Sequence, residues 1–265
     1  MMFNISRLQS AYVYVTDDPR DSSVKNLPFL SSPFPMIIVI VSYLYFCNNL
    51  GPKIMKNRKA LNLRSLLIVY NAFQILASAW LLTQGVLYSW PMRYKFFCQP
   101  LEIESSEIGI WASKVLAAYY WLKIVDLLDT IFFVLRKKFS QITFLHLYHH
   151  TIMVISSYMV SKYYTGGHLT LVGELNSFVH MVMYTYYLMT SIHSKYSQLI
   201  WFKKFITQLQ MVQFLILTVQ SFPTLFWENC DYPKWLRAIS TVQNVFMFCL
   251  FGNFYKTAYY KKKTN

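Results

Sequence analysis

Seven long apolar runs, separated by short polar connections, govern what this chain can fold into. They lie at 34–50, 65–89, 111–135, 141–160, 169–190, 205–225 and 235–255. A helix needs about 20 mostly apolar residues to cross a bilayer. The first run is short by that measure, and Pro33 and Pro35 mark its start. Lipid offers no partner to a backbone N–H or C=O, so such runs must pair those groups internally, as helices. The fold class that follows is an all-α polytopic membrane protein. Composition agrees, with 55% hydrophobic and 14% charged residues in 265, where a soluble domain carries about 25% charged. Residues 1–33 then form a luminal N-terminal segment, 34–255 the membrane domain and 256–265 a basic cytosolic tail. No cleavable leader pattern precedes the first run, which is expected to stay as an uncleaved span.

Orientation follows from the loops, because cytosolic loops hold the excess of Lys and Arg. One side carries Lys53, Lys56, Arg58, Lys59, Arg64, Arg136, Lys137, Lys138, Lys195, Lys203, Lys204, Lys256 and Lys261 to Lys263. The other carries Arg7, Arg20, Lys25, Arg93, Lys95, Lys162, Lys234 and Arg237, offset by acids such as Asp17, Glu104 and Glu228. The richer side is expected in the cytosol, with the N-terminus in the lumen and the C-terminus in the cytosol. Three smaller signals fit an endoplasmic reticulum membrane. The chain ends Lys262-Lys263-Thr264-Asn265, a retrieval pattern that works on a cytosolic tail. Asn4-Ile5-Ser6 is a glycosylation sequon in the luminal segment. Cys98 and Cys230 fall in luminal loops, where a disulfide can form. Cys47 and Cys249 fall within spans as small apolar fillers. The net charge of +14 does not mark a nucleic-acid partner, because the cations cluster between apolar runs and no nucleic-acid module is present.

Ionisable groups inside a span cost about 2.5–3.5 kcal/mol each on insertion scales and mark a polar interior. The third run holds Lys123, Asp126, Asp129 and Thr130, with the charged residues three apart on one helix face, so that Lys123 can pair with Asp126, as a structural lock between helices or beside a catalytic chamber. The fourth holds His146, His149 and His150, whose imidazoles fall within an arc of about 100°. Three histidines in five apolar-run positions are hard to explain by packing, which Leu or Phe would serve without needing partners. On the fifth, Asn176, His180, Met183, Tyr184 and Tyr187 form one stripe. On the sixth, Thr207, Gln210 and Gln213 share a face, as cavity lining or as hydrogen-bond glue between helices. Glu174 could reach the interface, Lys162 or Lys114.

Clustered histidines suggest a metal centre or metal-free acyl chemistry. A di-iron lipid desaturase or hydroxylase needs many first-shell ligands, and six histidines with no second dense box argue against it. A neutral imidazole is a nucleophile and base near neutral pH, and can take an acyl group from a thioester. A second imidazole can shuttle protons. A proton-coupled lipid transporter is the remaining alternative, but the halves show no internal repeat.

Four motifs occur in order: Lys123-x-x-Asp126-x-x-Asp129-Thr130, His146-x-x-His149-His150, Asn176-x-Phe178-x-His180-x-x-Met183-Tyr184-x-Tyr186-Tyr187, and Thr207-x-x-Gln210-x-x-Gln213-Phe214. In these the chain resembles the ELO family of very-long-chain fatty acid elongases, the 3-ketoacyl-CoA synthases, over nearly its whole length. Asp126 stands where many members have Glu. The resemblance implies seven transmembrane helices, six of them forming a barrel around a long substrate tunnel. It implies condensation of a long-chain acyl-CoA with malonyl-CoA to a 3-ketoacyl-CoA two carbons longer, releasing CoA and carbon dioxide, with no cofactor. By motif position His149 would accept the acyl group, with His146 and His150 completing the box. His180 would assist decarboxylation, with Asn176 as its hydrogen-bond partner. Cys98 and Cys230 would pair. The polar faces read above, with Lys123, Asp126, Asp129, Tyr184, Tyr187, Gln210 and Gln213, are expected to line the substrate cavity.

Phosphates of CoA need cations at the cytosolic mouth, where Arg136, Lys137, Lys138, Lys203 and Lys204 stand at the helix ends. The acyl tail is expected against Met153, Phe178 and Leu215. Partners are the two CoA thioesters and the lipid bilayer. Other enzymes of the elongation cycle and a second copy of the chain are left open.

Overall fold

The computed structural model describes residues 29–89, 94–102, 106–164 and 166–260. Asn4, Lys262 and Lys263 lie outside them. The described residues are helical, with no strand among them, as expected of a helical membrane protein. In chain order the α-helices are α1 (Pro33–Tyr45), α2 (Gly51–Met55), α3 (Arg64–Ser89), α4 (Glu107–Asp126), α5 (Leu128–Leu135), α6 (Phe144–Tyr163), α7 (Thr170–Ile192), α8 (Ile200–Ser221) and α9 (Lys234–Tyr259). A π-helical turn, Phe46–Leu50, joins α1 to α2.

Local sequence explains the helix ends. Ser32 caps α1 by accepting the Phe34 N–H at 3.2 Å, and Pro33 follows in the first turn, where its missing N–H costs nothing. The expected first span ended at 50, yet helix continues to Met55. Pro52 cannot donate to the carbonyl one turn back, and the wider π turn just before it takes up that mismatch. Likewise α9 runs four residues past the expected 255. By length and apolar composition, Pro33–Met55, Arg64–Leu87 and Ile200–Phe226 suffice to cross a membrane.

The chain divides into two compact units. The first comprises the residues up to Arg58, Glu102–Ile142 and His150–Gly166. Within it, Gly51 lets α2 and α5 approach so closely that a Cβ there would lie 2.6 Å from Val134. The Tyr43 and Thr130 hydroxyls share a 2.7 Å hydrogen bond between α1 and α5. The later turns of α6 lie on α4, where Ser161 donates to the Leu116 carbonyl at 2.8 Å and the Tyr120 and Tyr158 rings meet at 5.7 Å. Lys162 donates to the Ser31 carbonyl at 3.0 Å, which places the end of α6 beside the start of α1.

The second unit comprises Lys59–Leu101, Thr143–His149 and Gly167–Asn265. Its main pair is α3 against α7, antiparallel over their whole length. Arg64 donates to the Ser191 and Ile192 carbonyls at 3.2 and 2.7 Å, satisfying the last turn of α7. At the far end, Gly85 accommodates Glu174, since a Cβ there would meet the Glu174 side chain at 2.6 Å. The second antiparallel pair, α8 and α9, is fixed by Gln208 donating to the Tyr255 hydroxyl at 2.9 Å and by the Phe214 and Phe251 rings 5.3 Å apart. Cys98 and Cys230 form a disulfide with Cα atoms 5.6 Å apart. Of the remaining cysteines Cys47 is buried, whereas Cys249, expected as an apolar filler, is exposed.

Candidate active site

The histidine helix starts at a local signal. Thr143 Oγ1 accepts the His146 N–H at 3.3 Å, an N-cap bond to the third residue of the helix. The first turns of α6 then anchor through Leu145 and Tyr148, which pack on the buried cluster of Phe214, Met247 and Phe251. The Tyr148 hydroxyl donates to Gln243 Oε1 at 2.7 Å, and its ring meets Phe246 at 5.3 Å. That anchoring brings the His149 ring within 6.4 Å of Phe251. His146 and His149 are half-buried members of the second unit, while His150 is buried in the first.

The stripe on α7 is present as a connected wall. Asn176, His180 and Tyr184 are buried. The His180 and Tyr184 rings lie 5.6 Å apart, and Tyr184 meets Tyr187 and Tyr70 edge-on at 6.0 Å each. Tyr70 comes from α3, where Asn71, Gln74 and Ser78 are also buried. Gln74 donates to the Tyr70 hydroxyl at 2.9 Å, and Asn71 to Ser191 Oγ at 3.3 Å. The sequence reading missed this α3 face. Its signal is present, since residues 70, 71, 74 and 78 recur at helical spacing within an apolar run.

On α8, Gln213 is buried and Gln210 half-buried, and neither amide makes a hydrogen bond to another described residue. Thr207 instead back-bonds to the Lys203 carbonyl at 3.0 Å. Phe178 and Leu215, expected along the acyl chain, are 39% and 51% exposed. Such exposure suits apolar side chains that face lipid. Met153 is half-buried.

In the first unit, Lys123 donates to Asp126 at 2.7 Å with both side chains 2% exposed, and its ammonium lies 4.9 Å from the Tyr119 ring centre. Asp129 is half-buried one turn on. The basic helix ends differ among themselves. Lys137 stands in the left-handed conformation (φ 56°) at the end of α5, where Lys137 and Lys138 donate to the Val134 and Phe133 carbonyls. Its ammonium reaches the carbonyls of Lys56 and Arg58 at 3.3 and 2.9 Å. That engagement leaves it less available to a phosphate than the sequence suggested. In the second unit Lys204 lies over the Tyr259 and Tyr260 rings at 5.7 and 5.4 Å. Arg136, Lys138 and Lys203 form no ion pair or side-chain hydrogen bond among the described residues. No three His, Cys, Asp or Glu side chains among the described residues gather as a metal would need.

Comparison with known proteins supplies the context for this arrangement. The sequence profile of the GNS1/SUR4 family, ELO, matches residues 28–265. Among similar proteins, very long chain fatty acid elongase 7 of Drosophila melanogaster is 39% identical over 246 residues, 93% of this chain and 75% of that protein. Very long chain fatty acid elongase 2 of Mus musculus is 41% identical over 92% of this chain and 82% of its own length. Very long chain fatty acid elongase 4 of Homo sapiens is 33% identical over 92% of this chain and 77% of its own length.

Proposed function

Because the chain belongs to the ELO family and is an enzyme of fatty acid elongation, we propose that it condenses a long-chain acyl-CoA with malonyl-CoA through an acyl-imidazole on His149. The observation that carries this reading is chemical. The second unit holds His146 and His149 on α6 and His180 on α7, together with two amides on α8 that no other described residue hydrogen-bonds.

In the first half-reaction an imidazole nitrogen of His149 attacks the thioester carbonyl. The carbon–sulfur bond breaks, and CoA leaves as the thiol with the proton lost from the acylated ring. His146 or His150 relays that proton. In the second, the bond between C2 and the carboxylate of malonyl-CoA breaks and carbon dioxide departs. The electron pair stays as the enolate, steadied by a hydrogen bond from His180, which Asn176 orients. C2 then attacks the acyl carbon, the carbon–nitrogen bond breaks, and the departing ring takes up one proton from solvent, relayed by His146 or His150, which restores neutral His149. Gln210 and Gln213 offer N–H donors to the thioester or malonyl oxygens. An apolar surrounding keeps water from hydrolysing the acyl-imidazole.

Seven membrane spans, six of them arranged as a barrel around the acyl tunnel, complete the picture. So does an endoplasmic reticulum location with a luminal N-terminus and cytosolic C-terminus. In the second unit Lys203, without a side-chain partner among the described residues, is a cation for the phosphates of CoA, and Lys204 can rotate off its tyrosines to join it. Lys137 has a structural part as well.

The test is His149→Ala assayed with radiolabelled malonyl-CoA against a panel of acyl-CoAs. Ketoacyl product should vanish while membrane insertion and thermal unfolding stay as in the parent. In the parent without malonyl-CoA, intact mass should rise by one acyl group as one CoA is released. Normal product from the mutant would overturn the nucleophile assignment.

A further inference from the structure

Three segments of the second unit meet at its disulfide end: residues 94–101, the turn at 167–169 and the connection from Gln220 to Arg237. Gly167, at φ 79°, packs so tightly that a Cβ would lie 2.7 Å from the Tyr232 ring and 2.9 Å from the Pro100 carbonyl. The Tyr94 hydroxyl accepts the Gly167 N–H at 2.6 Å. Gln220 donates to the His168 carbonyl at 3.0 Å, and the His168 ring lies 5.8 Å from that of Tyr232.

Inside this junction lies Arg237, only 3% exposed. One guanidinium N–H donates to the Thr224 carbonyl, and Nε has no partner. Arg237 forms no ion pair among the described residues, and Glu228 and Asp231, the nearest acids in sequence, are exposed. His168 is 1% exposed, with neither ring nitrogen hydrogen-bonded. Burial, then the charge of Arg237, pushes its pKa down to about 4, so it is neutral and keeps one N–H to donate. The Ser221 hydroxyl is fully buried and has no partner either. Gln220 Oε1 is also unpartnered but can only accept, so it takes no part in holding an anion.

A buried cation without a counter-charge is strongly unfavourable, and buried donors without acceptors add to that. We propose that Arg237, His168 and Ser221 form a buried site for one small monovalent anion, either a free halide or the carboxylate at the far end of a bound chain. It is separate from the condensing histidines. Thr170, two residues past His168, is about 15 Å along α7 from His180. Both sources present one negative charge to a guanidinium and two neutral donors.

The experiment uses the full purified chain in detergent, unfolded thermally in sodium chloride, bromide or gluconate at fixed ionic strength. Chloride and bromide should raise the midpoint by several degrees over gluconate, which is too large to enter, and the rise should saturate. Arg237→Met should remove that difference, and His168→Leu should reduce it. If either variant fails to fold, the halide titration of the parent decides alone. A second arm compares two-carbon extension of an ω-carboxy acyl-CoA with its ω-methyl analogue of equal length. Chloride that raises KM for the carboxylated substrate alone identifies the chain terminus as the ligand. A saturable halide effect without that competition identifies a free ion. Identical midpoints in all three salts, with no preference between the two substrates, would overturn the site and leave buried water in its place.

Discussion

Lys123 in the first unit and Arg237 in the second are buried almost equally, at 2% and 3% exposure, and both sit on helices of a membrane protein. Lys123 meets Asp126 one turn along its own helix at 2.7 Å. Arg237 meets a backbone carbonyl and, among the described residues, no carboxylate. The first arrangement is electrically complete before anything binds, so its simplest role is to let a polar turn exist inside the bundle. The second is incomplete, and an incomplete buried charge points outward to whatever completes it. The same contrast separates Thr207, satisfied within its own helix, from Gln210 and Gln213, whose amides are not.

The largest effect is expected at the complete pair. Asp126→Asn removes the carboxylate that pairs with the buried Lys123 ammonium and is expected to cost about 3–5 kcal/mol of stability, seen as a large fall in the thermal midpoint. Replacing both, as Lys123→Met with Asp126→Leu, should recover most of that loss. A double variant as unstable as the single one would show that the pair does more than neutralise itself. A smaller effect should come from the incomplete cation. Arg237→Met removes a charge that has no partner in halide-free buffer, so in gluconate its midpoint should equal or exceed that of the parent. A large loss in gluconate would mean that the guanidinium is satisfied by protein groups after all. The smallest effect is expected at Lys137. Lys137→Gly relieves a left-handed side-chain conformation worth about 1 kcal/mol but gives up two hydrogen bonds of about 1 kcal/mol each. The net change should stay within about 1 kcal/mol, with KM for acyl-CoA close to the parent value. Lys203→Ala, which removes an unengaged cation, should raise KM instead.

These contrasts also show what the sequence could reveal. The apolar runs located the helices because backbone pairing in lipid allows little else. The stripes on α6, α7 and α8 were legible because imidazoles and amides at helical spacing stand out against Leu and Val. The α3 face of Tyr70, Asn71, Gln74 and Ser78 escaped because each residue is ordinary alone. Arg237 escaped for a different reason. A cation at the end of a span normally reaches the interface, and only the fold of the 220–237 connection turns this one inward. Lys137 looked like its neighbours, since its hold on the Lys56 and Arg58 carbonyls depends on contact across about 80 residues of sequence.

The disulfide between Cys98 and Cys230 spans 132 positions, and every proposed catalytic residue, from His146 to His180, lies inside the covalent ring it closes. A ring of that size restricts the unfolded chain by about 5 kcal/mol on a chain-entropy view. Trimming either terminus therefore leaves the working segment circularised. A single protease nick between 99 and 229 should yield two pieces that migrate as one until thiol is added, a gel-based report on whether the enzyme was assembled oxidised.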